Sequence, residues 1–352
     1  MGKHRRQSQA NASAPNRATL TGQAYKNAVA NSIMVAATMS LAPEYNPAVT
    51  GRIMQANASL FTDSHFSESL TTYSVGWKDD MGLDEALDFF APAVPVAKRF
   101  EYREHDNADS FESDVDDSRE IHGDFKSIRE EGKLIDASTK NHGLMIIVDR
   151  DEVDDDPNWR ERKVGKLLAR VKRNSLIRAI NMLKAAAVDT PLTWDTSAGK
   201  DPDQDVDDML VESADDSGIS ANRVGYGHTA WQKRKKSHRP QDTAGGYGSA
   251  KMTPSEVGDY LNAEQVLVTK PRQQQGVNKS LILADEVIAF HAANGLDTED
   301  PSNIKRFTTS QEGGQYRVYE WEIGPNLIAI AVSHYELIKL TSIRGLRKLS
   351  IS

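Results

Sequence analysis

Asp201, Asp203, Asp205, Asp207 and Glu212 stand at positions 1, 3, 5, 7 and 12 of a twelve-residue stretch. That is the ligand spacing of a calcium-binding EF-hand loop, where alternate carboxylates converge on one ion. Such loops turn sharply on a glycine at position six, and here that residue is Val206. Pro202 follows the first acid, and the flanks do not carry a helix pair. The stretch therefore reads as a solvated acidic loop with a short helix around Met209 to Ala214. The chain has no cysteine, which removes thiolate metal sites, thiol nucleophiles and disulfides together. Its nine histidines form no HxH pair, and no GxxxxGK[ST], GxSxG, HExxH or GxGxxG occurs. Gly225-Tyr226-Gly227 lacks the third glycine of a dinucleotide fingerprint and reads as a turn. No catalytic, cofactor-binding or metal-ligating residue is assigned, no cofactor is expected, and the chain is not read as an enzyme.

The chemistry left is charge. The 352-residue chain carries a net charge of -8, a balance that argues against a dedicated nucleic-acid binder. Two stretches nevertheless concentrate cations. "WQKRKKSHR", Trp231 to Arg239, holds one aromatic residue rather than interleaved ones, and reads as a solvated or subunit-facing helix end. The other is the run from Asp154 to Asp189, which reads as one helix from Pro157 to about Val188. Asp156 is its expected N-cap, with Pro157 in the first turn. Val164, Leu167, Leu168, Val171, Leu176, Ile180, Leu183 and Ala187 form its apolar stripe. Lys163, Lys166, Arg170 and Arg173 share a basic face at three- and four-residue steps. Just upstream, Glu101 to Asp156 contains nineteen acidic residues and seven basic ones.

Several elements must position these groups. Residues 1–84 read as an arm, basic at its start and too sparse in apolar residues for a core of its own. Lys3, Arg5, Arg6 and Arg17 are its candidate DNA-facing cations. The apolar run "AVANSIMVAATMSLAP" is separated from the basic start by polar residues, so it reads as a packing helix rather than a cleaved signal. No run reaches the ~18 apolar residues of a membrane helix, and no membrane contact is expected. A short helix capped by Asp84 ends near Pro92, and Val94, Val96, Phe100 and Tyr102 follow at strand spacing. Residues 103–148 read as a long acidic hairpin whose return limb is "GLMIIVDRDEV". A two-stranded ribbon is marginal alone in water, so it needs a surface to lie on. After the helix comes a mixed unit in which "AEQVLVTKPR" and "KSLILADEVIAFH" are strand-like runs. The chain closes on "YRVYEWEI" and "LIAIAV", an antiparallel pair turned by Gly324-Pro325-Asn326.

This order of parts resembles the tailed-bacteriophage major capsid proteins of the Hong Kong 97-type fold, over nearly the whole chain. "SREIHGDF", with Arg119, Gly123 and Phe125, looks like the family's Arg…Gly-x-Phe approach to the hairpin. "VGYGHTAWQKR" is similar to its strand-Gly-helix element with a Trp, here Trp231. "NLIAIAVSHYELIKLTS" looks like its terminal strand. The resemblance implies an α+β fold divided into six parts. These are an N-terminal arm (1–84), a first peripheral part (85–102), an extended hairpin loop (103–148), a spine helix (149–190), an axial domain (191–305) and C-terminal peripheral strands (306–352). It implies a shell subunit that assembles with itself into hexamers and pentamers around double-stranded DNA, located in the virion and in the host cytoplasm during assembly. Scaffolding, portal and decoration proteins are the further partners that it implies. Arg119, Phe125, Lys163, Lys166, Arg170 and Arg173 then become candidate contacts between subunits. The alternatives are an encapsulin-like cellular compartment shell and a DNA-binding protein using the basic helix.

Overall fold

The computed structural model describes residues 65–104, 118, 133–153, 155–197, 199–240, 246–295, 300–311 and 314–352. The arm's first 64 residues and most of the expected hairpin lie outside them. In chain order the elements are α1 (Glu68–Gly76), α2 (Leu83–Phe90), β1 (Ala93–Pro95), β2 (Arg99–Glu104), β3 (Lys133–Ser138) and β4 (Lys140–Asp149). Next come α3 (Trp159–Ala186), β5 (Val188–Leu192), α4 (Pro202–Ser217), β6 (Arg223–Gly227), α5 (His228–His238), α6 (Gly246–Lys251) and α7 (Pro254–Leu261). The remainder is strand: β7 (Gln265–Thr269), β8 (Arg272–Gln275), β9 (Asn278–Leu281), β10 (Glu286–Phe290), β11 (Ile304–Thr309), β12 (Arg317–Glu322), β13 (Leu327–Leu340) and β14 (Arg347–Ile351).

The 28-residue α3 is ~42 Å long at ~1.5 Å per residue. It starts two residues later than the capping signal suggests. Asn158 is the N-cap, while the Asp156 carboxylate accepts the Asn158 N–H and pairs with Arg162. The apolar stripe is buried from Val164 to Leu183 as its spacing requires and serves two cores, while Ala187 is the half-buried C-cap beyond the helix. Val164, Leu167, Leu168 and Val171 pack with Val148, Val318, Ile330 and Val332. Leu176, Ile180 and Leu183 pack instead with Leu83, Leu87, Phe90, Leu283, Phe290 and Leu346. One continuous helix thus ties the two halves of the structure together.

The first half is a five-stranded sheet built on β13. β4 pairs antiparallel with Leu327–Glu336 along one edge. On the other edge β12 takes Ile328–Ser333 and β11 takes Tyr335–Leu340, with β1 parallel beside β11. Ile328, Ile330 and Val332 face α3, the period-two pattern expected of "LIAIAV". The second half is a sheet in the order β5-β14-β10-β6-β7. α4, α5 and α7 cover one face of it through Val206, Met209, Trp231, Val257 and Leu261. β2 and β3 form a separate two-stranded ladder, Arg99↔Ser138 to Glu104↔Lys133, at the root of the expected hairpin.

Five local readings are corrected. The returning limb of the hairpin is β3 rather than "GLMIIVDRDEV", whose Leu144–Asp149 lie in β4 and pair with Leu327–Val332 of β13. The acidic stretch is not a loop: Pro202–Ser217 is a helix, with the Asp201 carboxylate capping the N–H groups of Asp203 and Gln204 and Pro202 in the first turn. Gly225-Tyr226-Gly227 is not a turn but the buried strand β6. Its glycines answer to packing, since a Cβ on Gly225 would stand 2.6 Å from the Phe90 ring and one on Gly227 2.1 Å from the Ala284 carbonyl oxygen. "KSLILADEVIAFH" is two strands, β9 and β10. Asp84 does not cap α2. Asp79 accepts the N–H groups of Met81 and Leu83 there, and Asp84 turns instead to Lys172.

Candidate assembly surfaces

The cations of α3 fall into two sets. One set is neutralised within the subunit. Arg160 pairs with Glu320 at 2.7 Å and lies over the Trp159 ring, and Lys184 pairs with Glu286 at 2.7 Å. Lys172 is 8% exposed, 2.6 Å from Asp84 and 4.7 Å from the centre of the Trp77 ring. Arg178 holds the buried Glu336 at 2.7 Å, and Ser175 donates to the same oxygen at 2.9 Å. The second set is the face named from sequence. Lys166 and Arg170 are exposed and Lys163 is half-buried, and these three have no ion-pair partner among the described residues. Arg173 is half-buried, its guanidinium 3.8 Å from the Met81 sulfur.

Sequence reasoning missed Lys172 and Arg178. A local signal existed for Lys172, which lies four residues after Leu168 on the apolar stripe. A cation in that position needs a buried partner. The partners, Asp84 and Glu336, are far away in sequence and carry no local signal.

Around Glu336 the charges converge. Burial alone would raise its carboxyl, but His334 and Arg178 outweigh that and hold it at about 2. His334 is fully buried, with its Nε2 3.6 Å from a Glu336 oxygen. Its ring lies 5.7 Å from that of His142 on β4. Burial, with Arg178 and His334 adding to it, lowers the His142 imidazole below its ordinary value.

The two other charged stretches resolve into internal structure. Asp201, Asp203 and His238 bring ligand atoms within 4.8 Å of one another. However, Arg234 already binds both Asp203 oxygens, at 2.6 and 2.8 Å, and its side chain is fully buried. Burial would raise the Asp203 carboxyl, but His238 and Arg234 pull it below its ordinary value. A guanidinium occupies the place that a cation's charge would take, so this is an ion-pair network and the calcium-loop spacing is a coincidence of a helix. The basic run on α5 is divided: Lys236 and Arg239 are exposed at its end, while its first turns serve the interior. Trp231 and Arg234 are buried, and Lys233 reaches Asp285 at 2.9 Å and the Ile351 carbonyl at 2.8 Å. The candidates Arg119, Phe125, Lys3, Arg5, Arg6 and Arg17 lie outside the described residues.

No protein-family model matches the chain, and no curated protein matches its sequence. Solved structures do match. A phage-related protein from Bordetella bronchiseptica superposes with a TM-score of 0.60 at 17% identity, over 81% of this chain and 96% of that one. The chain has the Hong Kong 97-type capsid fold. Further matches include a putative prophage capsid protein from E. coli, with a TM-score of 0.45 at 11% identity over 82% of this chain and 99% of that one. An encapsulin of Synechococcus elongatus matches with a TM-score of 0.44 at 11% identity, over 90% of this chain and 94% of that one. Among the described residues no helix is long and apolar enough to cross a membrane.

Proposed function

We propose that this chain is the major subunit of a virus head, assembling with itself as hexamers and pentamers into an icosahedral shell around double-stranded DNA. The observation that carries this reading is the division of charge on α3. Five of its cations, Arg160, Arg162, Lys172, Arg178 and Lys184, are spent inside the subunit, while Lys163, Lys166 and Arg170 are left without a described partner. The complement is the stretch between β2 and β3, residues 105–132, which holds ten acids against three bases within the acidic run from Glu101 to Asp156. A neighbour's acidic segment laid on this face would set register and steer association. The role is structural rather than catalytic.

In this reading 1–84 is the arm, the part of 103–148 that precedes β4 the extended loop, 149–190 the spine helix and 191–305 the axial domain, with 85–102, β4 and 306–352 completing the peripheral domain. Arg119 and Phe125 join the contact between subunits, and the cations Lys3, Arg5, Arg6 and Arg17 face the packaged DNA without sequence preference. The subunit belongs to the virion, passes through the host cytoplasm during assembly, and meets scaffolding, portal or decoration proteins there. Electron microscopy of the purified full chain tests the shell, and the nucleic-acid content of virions carrying it tests the cargo. Nuclease-resistant double-stranded DNA supports a virus head. Enclosed protein cargo without DNA would assign the shell to a cellular compartment instead.

A further inference from the structure

Resting on the shell reading above, we infer that the β8–β9 hairpin of one copy docks on the exposed acidic face of α4 in the next copy around a ring. The hairpin belongs to neither five-stranded sheet. Its register pairs Gln275 with Asn278, so Gly276 and Val277 form a two-residue turn, with Gly276 at φ +61. Val277 at the tip is 95% exposed. From Arg272 to Leu281 the hairpin carries two cations, Arg272 and Lys279, and no acid. A ladder this short is marginal by itself in water. An apolar β-branched tip between cations suits contact with a partially apolar, anionic surface.

α4 offers that surface. Its sixteen residues hold seven acids and no cation. Asp203 is taken by Arg234, Asp205 accepts from the Trp194 indole at 2.8 Å, and Asp216 accepts the Gly345 N–H at 3.0 Å and faces Arg344 and Arg347. Asp208, Glu212 and Asp215 remain exposed at steps of four and three, on one helix face. In their midst Val211 is 55% exposed.

The placement of the two surfaces fits a head-to-tail contact. The hairpin leaves the sheet directly after β7, one edge strand. α4 packs on β14 and is tied to it through Asp216 and Arg347, next to β5 at the other edge. Like charges disfavour hairpin against hairpin and α4 against α4, which leaves the heterologous pairing that closes a ring.

The chain's lack of cysteine makes crosslinking clean. In shells of the full chain carrying both Val277→Cys and Val211→Cys, oxidation should give a non-reducing gel ladder ending at five and six linked copies. Neither single variant should give one. Shells that form without linkage overturn this contact, as does linkage through Val277→Cys alone, which would mean that the hairpins meet one another. In a second arm, Lys279→Glu should lower shell yield roughly fivefold and Glu212→Lys should restore it. Unchanged yield, or no restoration, overturns the contact too. These outcomes leave the shell reading standing, whereas a wild-type chain that stays monomeric overturns both.

Discussion

Replacing Lys163, Lys166 and Arg170 together by Glu should abolish assembly and leave the subunit folded. Its folding cost is small because none of the three has an ion-pair partner among the described residues. Exposed substitutions of this kind stay within ~0.5 kcal/mol each. The apolar stripe from Val164 to Leu183 keeps both of its cores. The cost to a contact with the acidic segment is larger. An exposed ion pair is worth about 0.2–1 kcal/mol, and reversal replaces that attraction by a repulsion of similar size. Three reversals then cost about 1–6 kcal/mol per contact, from roughly fivefold to more than ten-thousandfold, and the loss recurs at every copy in a shell. Sedimentation of assembly reactions measures the shell yield, and calorimetry of the dissociated subunit measures its stability. Normal shell yield at low salt would refute the assignment of this face to subunit contact. Normal empty shells that fail to retain DNA would give the face to the genome.

Three further outcomes follow from the interior. Glu336→Gln should remove about 3 kcal/mol at neutral pH, since the carboxyl is held near 2 against an ordinary 4.5. Its folded pKa is depressed, so wild-type stability from this group is present above about 4.5 and lost as pH falls toward 2. Urea titrations across that window should show the two proteins converging, and a constant gap would be evidence against the Glu336 ion pair. Asp203→Ala should cost about 3–5 kcal/mol because it strands the fully buried Arg234, and an unchanged urea midpoint would contradict the pairing. Gly225→Ala should cost about 1–3 kcal/mol by driving a methyl group into the Phe90 ring, 2.6 Å away, and a thermal melt at the wild-type temperature would show that the ring gives way freely.

What the sequence disclosed follows the reach of its local signals. The α3 stripe and the β12–β13 pair repeat at 3.6 and 2.0 residues, and both formed where the periods placed them. α4 was partly legible. Asp201 before Pro202 is a helix-start signal, but the alternating acids drew the reading toward a loop. The glycines of β6 could not be read locally. Their need arises from Phe90 and Ala284, which only the tertiary structure brings near. The same holds for the two classes of cation on α3. Spacing identified Lys163, Lys166, Arg170 and Arg173 as one face and set Lys172 in line with the apolar stripe, yet only the tertiary structure supplies the partners Asp84 and Glu336 that hold Lys172 and Arg178 inside.

The most direct test of the account is electron microscopy of the purified full-length chain under assembly conditions. The account requires closed shells whose capsomers contain five and six copies, with the α3 basic face covered by a neighbouring copy. A compact monomer at high concentration, or a dimer whose chief property is salt-dependent DNA affinity, would contradict it.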